Sequence, residues 1–238
     1  MADRTYLSWP FFDDGHRALA AELEAWVADK LPPLLAHDEA NLDSVYACVG
    51  NLVRGLGRAG LLRVCVPGAY GGSGREGVDV RSLALARETL ARASGLADFA
   101  LAMQGLGSAP VSLFGSEAQK AALLPGVARG ELIAAFALSE PNAGSDVAAM
   151  STTARRDGDG WALDGAKTWI SNGGLADRYV VFARSDASQR GAKGISAFLV
   201  DADTPGLDAS ERRSASADHQ RTRCRCLPPL SSFTVSRA

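Results

Sequence analysis

The chain has 238 residues, 47% of them hydrophobic and 22% charged, with a net charge of −2. That length holds one or two domains with a real buried core, and so small a charge argues against a nucleic-acid binder or a membrane-surface protein. The N-terminus, MADRTYLSWPFFDDG, has neither a basic leader nor an unbroken apolar stretch, so it does not read as a signal peptide, and no apolar run reaches the roughly 18 residues of a membrane span.

In chain order, Asp13 to Leu31 reads as a helix, because Ala18, Leu19, Leu23, Trp26, Val27 and Leu31 recur at three- and four-residue spacing. Pro32-Pro33 stops it. A second helix is expected from about Asn41 to Ala59, ending at Gly60. Leu61 to Val66 leads into a loop at Pro67–Gly77, and helical patterns resume at Asp79–Ala93 and Leu96–Leu113. Ser116 and Gln119 make a capping-box pair ahead of Ala121-Ala122-Leu123-Leu124.

From Leu132 the period changes. Thr152–Arg156, Trp161–Leu163, Thr168–Ser171, Arg178–Arg184 and Ile195–Asp201 read as short strands. Asp157-Gly158-Asp159-Gly160, Asp164-Gly165, Asn172-Gly173 and Ser185–Gly194 supply turn chemistry between them. The expected class is α+β: an all-α domain over residues 1–131, then an incomplete antiparallel β-barrel over 132–207.

After Thr204-Pro205-Gly206-Leu207 the pattern fails. Residues 208–238 hold six Arg and three acids, net +3, leaving −5 on residues 1–207, and no helical or strand period is visible. Two readings account for this: an out-of-frame or truncated continuation, or a genuine basic, disordered tail. A barrel should not stop between strands, which favours the first.

Several constellations carry no chemistry. Cys48, Cys65, Cys224 and Cys226 do not make a disulfide framework, and Cys224-Arg225-Cys226 lacks a second Cys/His pair at ligand spacing. No metal and a reducing, cytoplasmic home are the simplest expectation. His16, His37 and His219 sit far apart without a nucleophile or ligand partner in sequence, so solvated or structural roles are expected. Gly55-Leu-Gly57-Arg-Ala-Gly60 and Gly72-Ser-Gly74-Arg-Glu-Gly77 mimic dinucleotide fingerprints, yet neither sits in the strand–turn–helix order that a nicotinamide site needs.

The richest stretch runs from Ala135 to Gly174. AFALSEPNAGSDVAAM (Ala135–Met150) crowds small residues, hydroxyls and glycines, and KTWISNGG (Lys167–Gly174) sets an indole between hydrogen-bonding groups. A planar, polar-edged cofactor needs N–H groups and hydroxyls for its rim and an apolar surface for its face. At Gly144 and Ser145 the lack of bulk would let the main chain approach a pyrophosphate.

Ala137-Leu138-Ser139-Glu140-Pro141-Asn142-Ala143-Gly144-Ser145-Asp146 closely resembles the signature of the acyl-CoA dehydrogenases. Trp169-Ile170-Ser171-Asn172-Gly173 resembles their second flavin-contacting segment, and Val66-Pro67-Gly68-Ala69-Tyr70-Gly71-Gly72 is similar to the loop after their second helix. The resemblance implies an FAD-dependent α,β-dehydrogenation of an acyl-CoA thioester. It implies Phe136 and Leu138 along the flavin ring, Ser139 at its reactive polar edge, and Gly144 and Ser145 at the pyrophosphate. Trp169 would pack on the ring, with Ser171 a further donor. Ser145 would also touch the pantetheine arm, and Phe99, Ala102, Met103 and Leu106 lie on the helix that lines the acyl pocket. Serines stand at Ser139 and Ser171 where threonine is common, and Phe136 often has a tyrosine counterpart, which implies a looser flavin site.

Each residue also has a plainer use. Ser139, Gly144, Ser145 and Asp146 could simply build a loop, Trp169 could be core, and Phe99, Ala102 and Leu106 could be plain helix packing. Glu140 and Asp146 are expected to hold the loop rather than act as a carboxylate pair.

The family's catalytic glutamate lies outside the matched stretch, so no catalytic residue is assigned and this chain is expected to be inactive or impaired. The resemblance further implies an electron-transfer flavoprotein as electron acceptor and a homodimer or homotetramer for the full-length family. Two other classes stay open. One is an acyl-CoA oxidase or nitroalkane-oxidase-like flavoenzyme on the same scaffold; the other is a non-enzymatic interaction protein.

Overall fold

The computed structural model describes residues 3–73, 77–209, 221–226 and 231–233. The chain divides into two compact units, Met1–Gly105 with Ala121–Glu131 and Leu106–Lys120 with Leu132–Ala238. The overall class is the expected α+β.

Helices α1 (Asp14–Asp29), α2 (a single turn, Leu31–Leu34), α3 (Leu42–Arg58), α4 (Val80–Ala93), α5 (Gly95–Phe114) and α6 (Glu117–Arg129) occupy the first half of the chain. Apart from α2, their starts are set by side chains that accept the orphan N–H groups of a first turn. Asp13 accepts from the His16 N–H, Asn41 from Asp43 and Ser44, and Asp79 from Arg81. Ser116 and Gln119 form the reciprocal capping box that their spacing predicts. Gly60, at φ 75°, ends α3 in the left-handed conformation. Pro32-Pro33 does not stop the helical path at once, since proline fits the first turn of α2.

The core of the first unit includes Leu23, Leu52, Leu56, Leu62, Leu85, Leu90 and Leu101, all essentially without solvent contact. Each such leucine stabilises by roughly 1.5–3 kcal/mol relative to exposure. Gly57 lets α3 meet the end of α6 backbone to backbone: a Cβ there would lie 2.2 Å from the Arg129 carbonyl oxygen. The glycines of the first mimic fingerprint are therefore packing and stop residues. Residues 74–76 of the second lie outside the described residues.

His16 takes the structural of the two roles expected for it. It sits in the first turn of α1, 3% exposed, with Nδ1 2.7 Å from Asp13 Oδ1 and Nε2 2.8 Å from Asp79 Oδ2. The imidazole thus ties the capping residue of α1 to that of α4, a partner 63 positions away. His37 Nδ1 contacts the Leu35 carbonyl oxygen at 2.7 Å; His219 lies outside the described residues.

Strands β1 (Ala134–Ala137), β2 (Thr153–Asp157), β3 (Gly160–Thr168), β4 (Arg178–Arg184), β5 (Ile195–Asp201), β6 (Leu207–Asp208), β7 (Arg221–Cys226) and β8 (Ser231–Phe233) form one sheet in the order β6-β7-β3-β2-β4-β5-β8, with β1 added alongside β4. The sheet does not close among the described residues. Most pairs are antiparallel, as expected, but β1–β4 is parallel and β2 touches β4 in parallel at Thr153 and Arg184. β4 and β5 are buried over runs of three and five residues without alternation, the pattern of strands covered on both faces.

Three local expectations change. Asp164-Gly165 is no turn: one strand runs from Gly160 to Thr168. A Cβ on Gly165 would lie 2.7 Å from Thr152 Cα, so the glycine is needed where another segment crosses closely. Trp169–Ser171 is not strand, because Trp169 turns to φ 58°. In the segment expected to lack strand period, Arg221–Cys226 pairs with β3 and Ser231–Phe233 with β5. The reason is positional: β3 and β5 each have an edge left to pair, and main-chain groups satisfy it whatever the side-chain pattern.

Candidate functional site

The first motif begins where β1 leaves the sheet. Phe136 and Leu138 are two residues apart in extended chain and so share a face. Both are half-buried, and Phe136 packs against Phe182 with ring centroids 5.0 Å apart. Past Ser139 the chain folds back on itself: Glu140 and Ala143 exchange backbone hydrogen bonds, each 3.1 Å, around Pro141-Asn142. Gly144, Ser145 and Asp146 follow, all exposed. A Cβ on Gly144 would meet nothing within 4 Å, so no neighbour in the chain demands glycine there. The opening suits a ligand that must come close to the main chain.

The second motif leaves the end of β3. Trp169 adopts φ 58° and Asn172 φ 63°, conformations that bulky residues seldom adopt. The neighbours hold them there. Thr168 N–H donates to the Ser139 carbonyl (2.9 Å), Gly173 N–H to that of Ile170 (2.9 Å), and the buried Asn172 amide to that of Ala134 (3.0 Å). The consequence is an indole 56% exposed beside the first motif, which removes the plain core reading of Trp169. Ser171 is half-buried.

A buried ion pair joins the two motifs. Lys167, 1% exposed, donates from Nζ to Glu140 Oε1 (2.8 Å) and to the Leu138 carbonyl (3.0 Å). The Glu140 carboxylate accepts further from the backbone N–H groups of Ser151 (2.6 Å) and Thr152 (2.9 Å) and from the Ser151 hydroxyl (2.8 Å). Burial alone would raise this carboxyl, but Lys167 and the Ser151 and Thr152 donors outweigh it and hold it down to about 2. For Lys167 burial wins and lowers the ammonium, with Glu140 opposing. Glu140 is thus a loop anchor, as expected. Asp146 makes no side-chain cap to the turn that follows it. Arg184 adds a second anchor, donating to the Ala148 carbonyl at 2.7 Å.

Phe136, Leu138, Ser139, Gly144, Ser145, Trp169 and Ser171 all belong to the second unit, and the stitches between Ser139 and Thr168 and between Glu140 and Lys167 bring their two segments together. No hydrogen bond within the described residues engages the hydroxyls of Ser139, Ser145 or Ser171. Phe99, Ala102 and Leu106 share the single helix α5, with Phe99 37% and Leu106 42% exposed. Sequence reasoning missed Lys167 as the partner of Glu140. The signal available was a lysine inside a strand otherwise rich in small residues, which a buried position would force to find an acid. Cys224 and Cys226 fall on β7.

A helical unit and a unit built on one sheet, the second carrying two hydroxyl- and glycine-bearing segments stitched side by side, define an α+β protein with a loop-built candidate site. The chain belongs to the acyl-CoA dehydrogenase family: the family's N-terminal domain matches residues 13–131 and its middle domain residues 135–225. The middle-domain match thus runs past Leu207 into β7.

An acyl-CoA dehydrogenase of Bacillus subtilis (strain 168) is 39% identical over 162 residues, covering 68% of this chain and 42% of the relative. The structure of glutaryl-CoA dehydrogenase from Mycobacterium smegmatis aligns at a TM-score of 0.75 and 31% identity, over 94% of this chain and 55% of that one. The structure of an acyl-CoA dehydrogenase complexed with FAD from Bacillus anthracis aligns at 0.72 and 31%, over 94% and 38%. The chain spans half or less of the curated relatives it matches, 42% of the Bacillus subtilis protein and 50% of a 3-(aryl)acrylate reductase from Clostridium sporogenes. No helix among the described residues is long and apolar enough to cross a membrane.

Proposed function

We propose that this chain carries the flavin-binding part of an FAD-dependent acyl-CoA dehydrogenase, acting on the α,β bond of an acyl thioester. The observation that carries the reading is the stitched pair of motifs. An exposed indole and the Phe136–Leu138 face lie with three unspent hydroxyls, next to a glycine whose Cβ position is open. That is the donor set a flat, polar-rimmed, phosphate-bearing group requires.

FAD, when bound, supplies the hydride acceptor. In this reading Phe136, Leu138 and Trp169 pack on its ring, and the Ser139 and Ser171 hydroxyls meet its polar edge. Gly144 and Ser145 approach the pyrophosphate, with Ser145 also reaching the pantetheine arm. Phe99, Ala102 and Leu106 would line the acyl chain. The chain's own work is to bind, to orient and to keep water from the ring face. Glu140 takes no proton in this scheme, because four donors already hold its carboxylate ionised. The family reading extends to an electron-transfer flavoprotein as oxidant and to a homodimer or homotetramer.

The test is FAD binding by the 238-residue chain, followed by the visible spectrum and by flavin fluorescence. A saturable complex is expected. Trp169→Ala should weaken it about tenfold, and Ser139→Ala and Ser171→Ala by a few-fold each, the scale of a ring contact and of single hydrogen bonds. No binding, or equal binding by all three variants, would overturn the assignment.

A further inference from the structure

We propose that Glu140 and Lys167 are positioning residues that set the register between the two motif segments, so that losing the pair lowers FAD affinity even where the fold survives. The inference rests on the flavin reading above and adds to it two residues that touch no ligand in that reading.

The geometry makes the pair more than a buried charge neutralisation. Lys167 Nζ reaches two points on the first segment, the Leu138 carbonyl at 3.0 Å and Glu140 Oε1 at 2.8 Å, with Met150 Sδ at 3.8 Å. Glu140 in turn gathers the Ser151 and Thr152 N–H groups, the far end of the same segment. One ammonium and one carboxylate therefore fix residues 138–140 and 150–152 onto the end of β3. Thr168, the next residue, adds the backbone bond to Ser139. The residues assigned to the flavin alternate with these anchors: Leu138 and Ser139 precede Glu140, and Trp169 lies two places after Lys167. A shift at either anchor is passed directly to them. Partners that orient ligating groups are worth about 10–100-fold in affinity at metal sites, and the same lever applies to a cofactor held by several short contacts.

A single substitution leaves a lone buried charge and risks unfolding. The informative variant is therefore Glu140→Gln with Lys167→Met, which removes both charges and the bond to the Leu138 carbonyl together. Thermal unfolding, FAD affinity and amide hydrogen exchange at Ser151, Thr152 and Thr168 are measured on wild type, Lys167→Met and the double variant. The expected pattern is a split. Thermal stability falls in Lys167→Met and returns most of the way in the double variant, while FAD affinity stays at least tenfold down in both and exchange at the three amides quickens. A double variant with wild-type FAD affinity, or with wild-type exchange at the three amides, would sink the proposal. If wild type itself binds no FAD, the flavin reading fails separately; faster exchange in the double variant then upholds the locking role, and unchanged exchange ends it.

Discussion

At the scale of single residues, Glu140 is the clearest case of environment overriding composition. Its carboxyl is pulled from an ordinary value of 4.5 to about 2. A depressed carboxyl contributes stability that is fully present above the unfolded value and is lost as pH falls through the folded one. The window is therefore from about pH 5 down to about 2, and the shift corresponds to roughly 3 kcal/mol. The urea midpoint of wild type should fall relative to that of the Glu140→Gln/Lys167→Met variant as pH drops from 5 to 3. A constant gap would show that the carboxylate does not carry this linkage. Asp79, also held at about 2, is common to both proteins and cancels in the difference.

The residue scale also shows what the sequence could and could not convey. The ligand-type residues Ser139, Gly144, Ser145, Trp169 and Ser171 stand out because they cluster within a short stretch in an unusual mixture. The pair that holds them together does not. Glu140 and Lys167 are 27 positions apart, and acids and lysines are too common for such a spacing to speak. His16 is hidden for the same reason, since one of its two carboxylates comes from the start of another helix.

At the scale of elements, helices are legible and the sheet only partly so. Helix ends are local chemistry: Asp13, Asn41, Asp79 and Ser116 each cap within three residues. Strand ends are settled by distant chain. Asp164-Gly165 has the composition of a hairpin turn, yet Thr152 crossing closely makes Gly165 a mid-strand residue. Gly57 is the helical counterpart, invisible in sequence as anything but a helix-weakening glycine. Gly57→Ala should improve helix propensity by about 1 kcal/mol but drive a methyl into the Arg129 carbonyl, 2.2 Å away. Overpacking against backbone costs about 1–3 kcal/mol or more, so the net effect should be destabilising. A thermal melt that rises would mean α3 and α6 can separate at no cost.

At the scale of the whole molecule, the question is which activity these residues can support together. Abstraction of a proton beside a thioester carbonyl needs a carboxylate that is near the substrate and free to accept. Among the described residues of the second unit, the acids are otherwise engaged or solvent-facing. Glu140 is filled by donors, Asp177 accepts from the Ile133 N–H at 2.8 Å, Asp201 pairs with Arg178, and Asp146 and Asp164 are exposed. The chain should accordingly bind FAD without reducing it. Mixed anaerobically with saturated acyl-CoAs of short, medium and long chain, the FAD-loaded protein should keep its visible absorbance. A positioned base is worth about 10²–10⁴-fold, so a residual rate lower by that factor than that of an enzyme with such a base is the most these residues would supply. Rapid bleaching with any one acyl-CoA would mean that a carboxylate of this chain reaches the substrate after all, and its identity could then be sought by replacing Asp146, Asp164 and Asp177 with asparagine in turn.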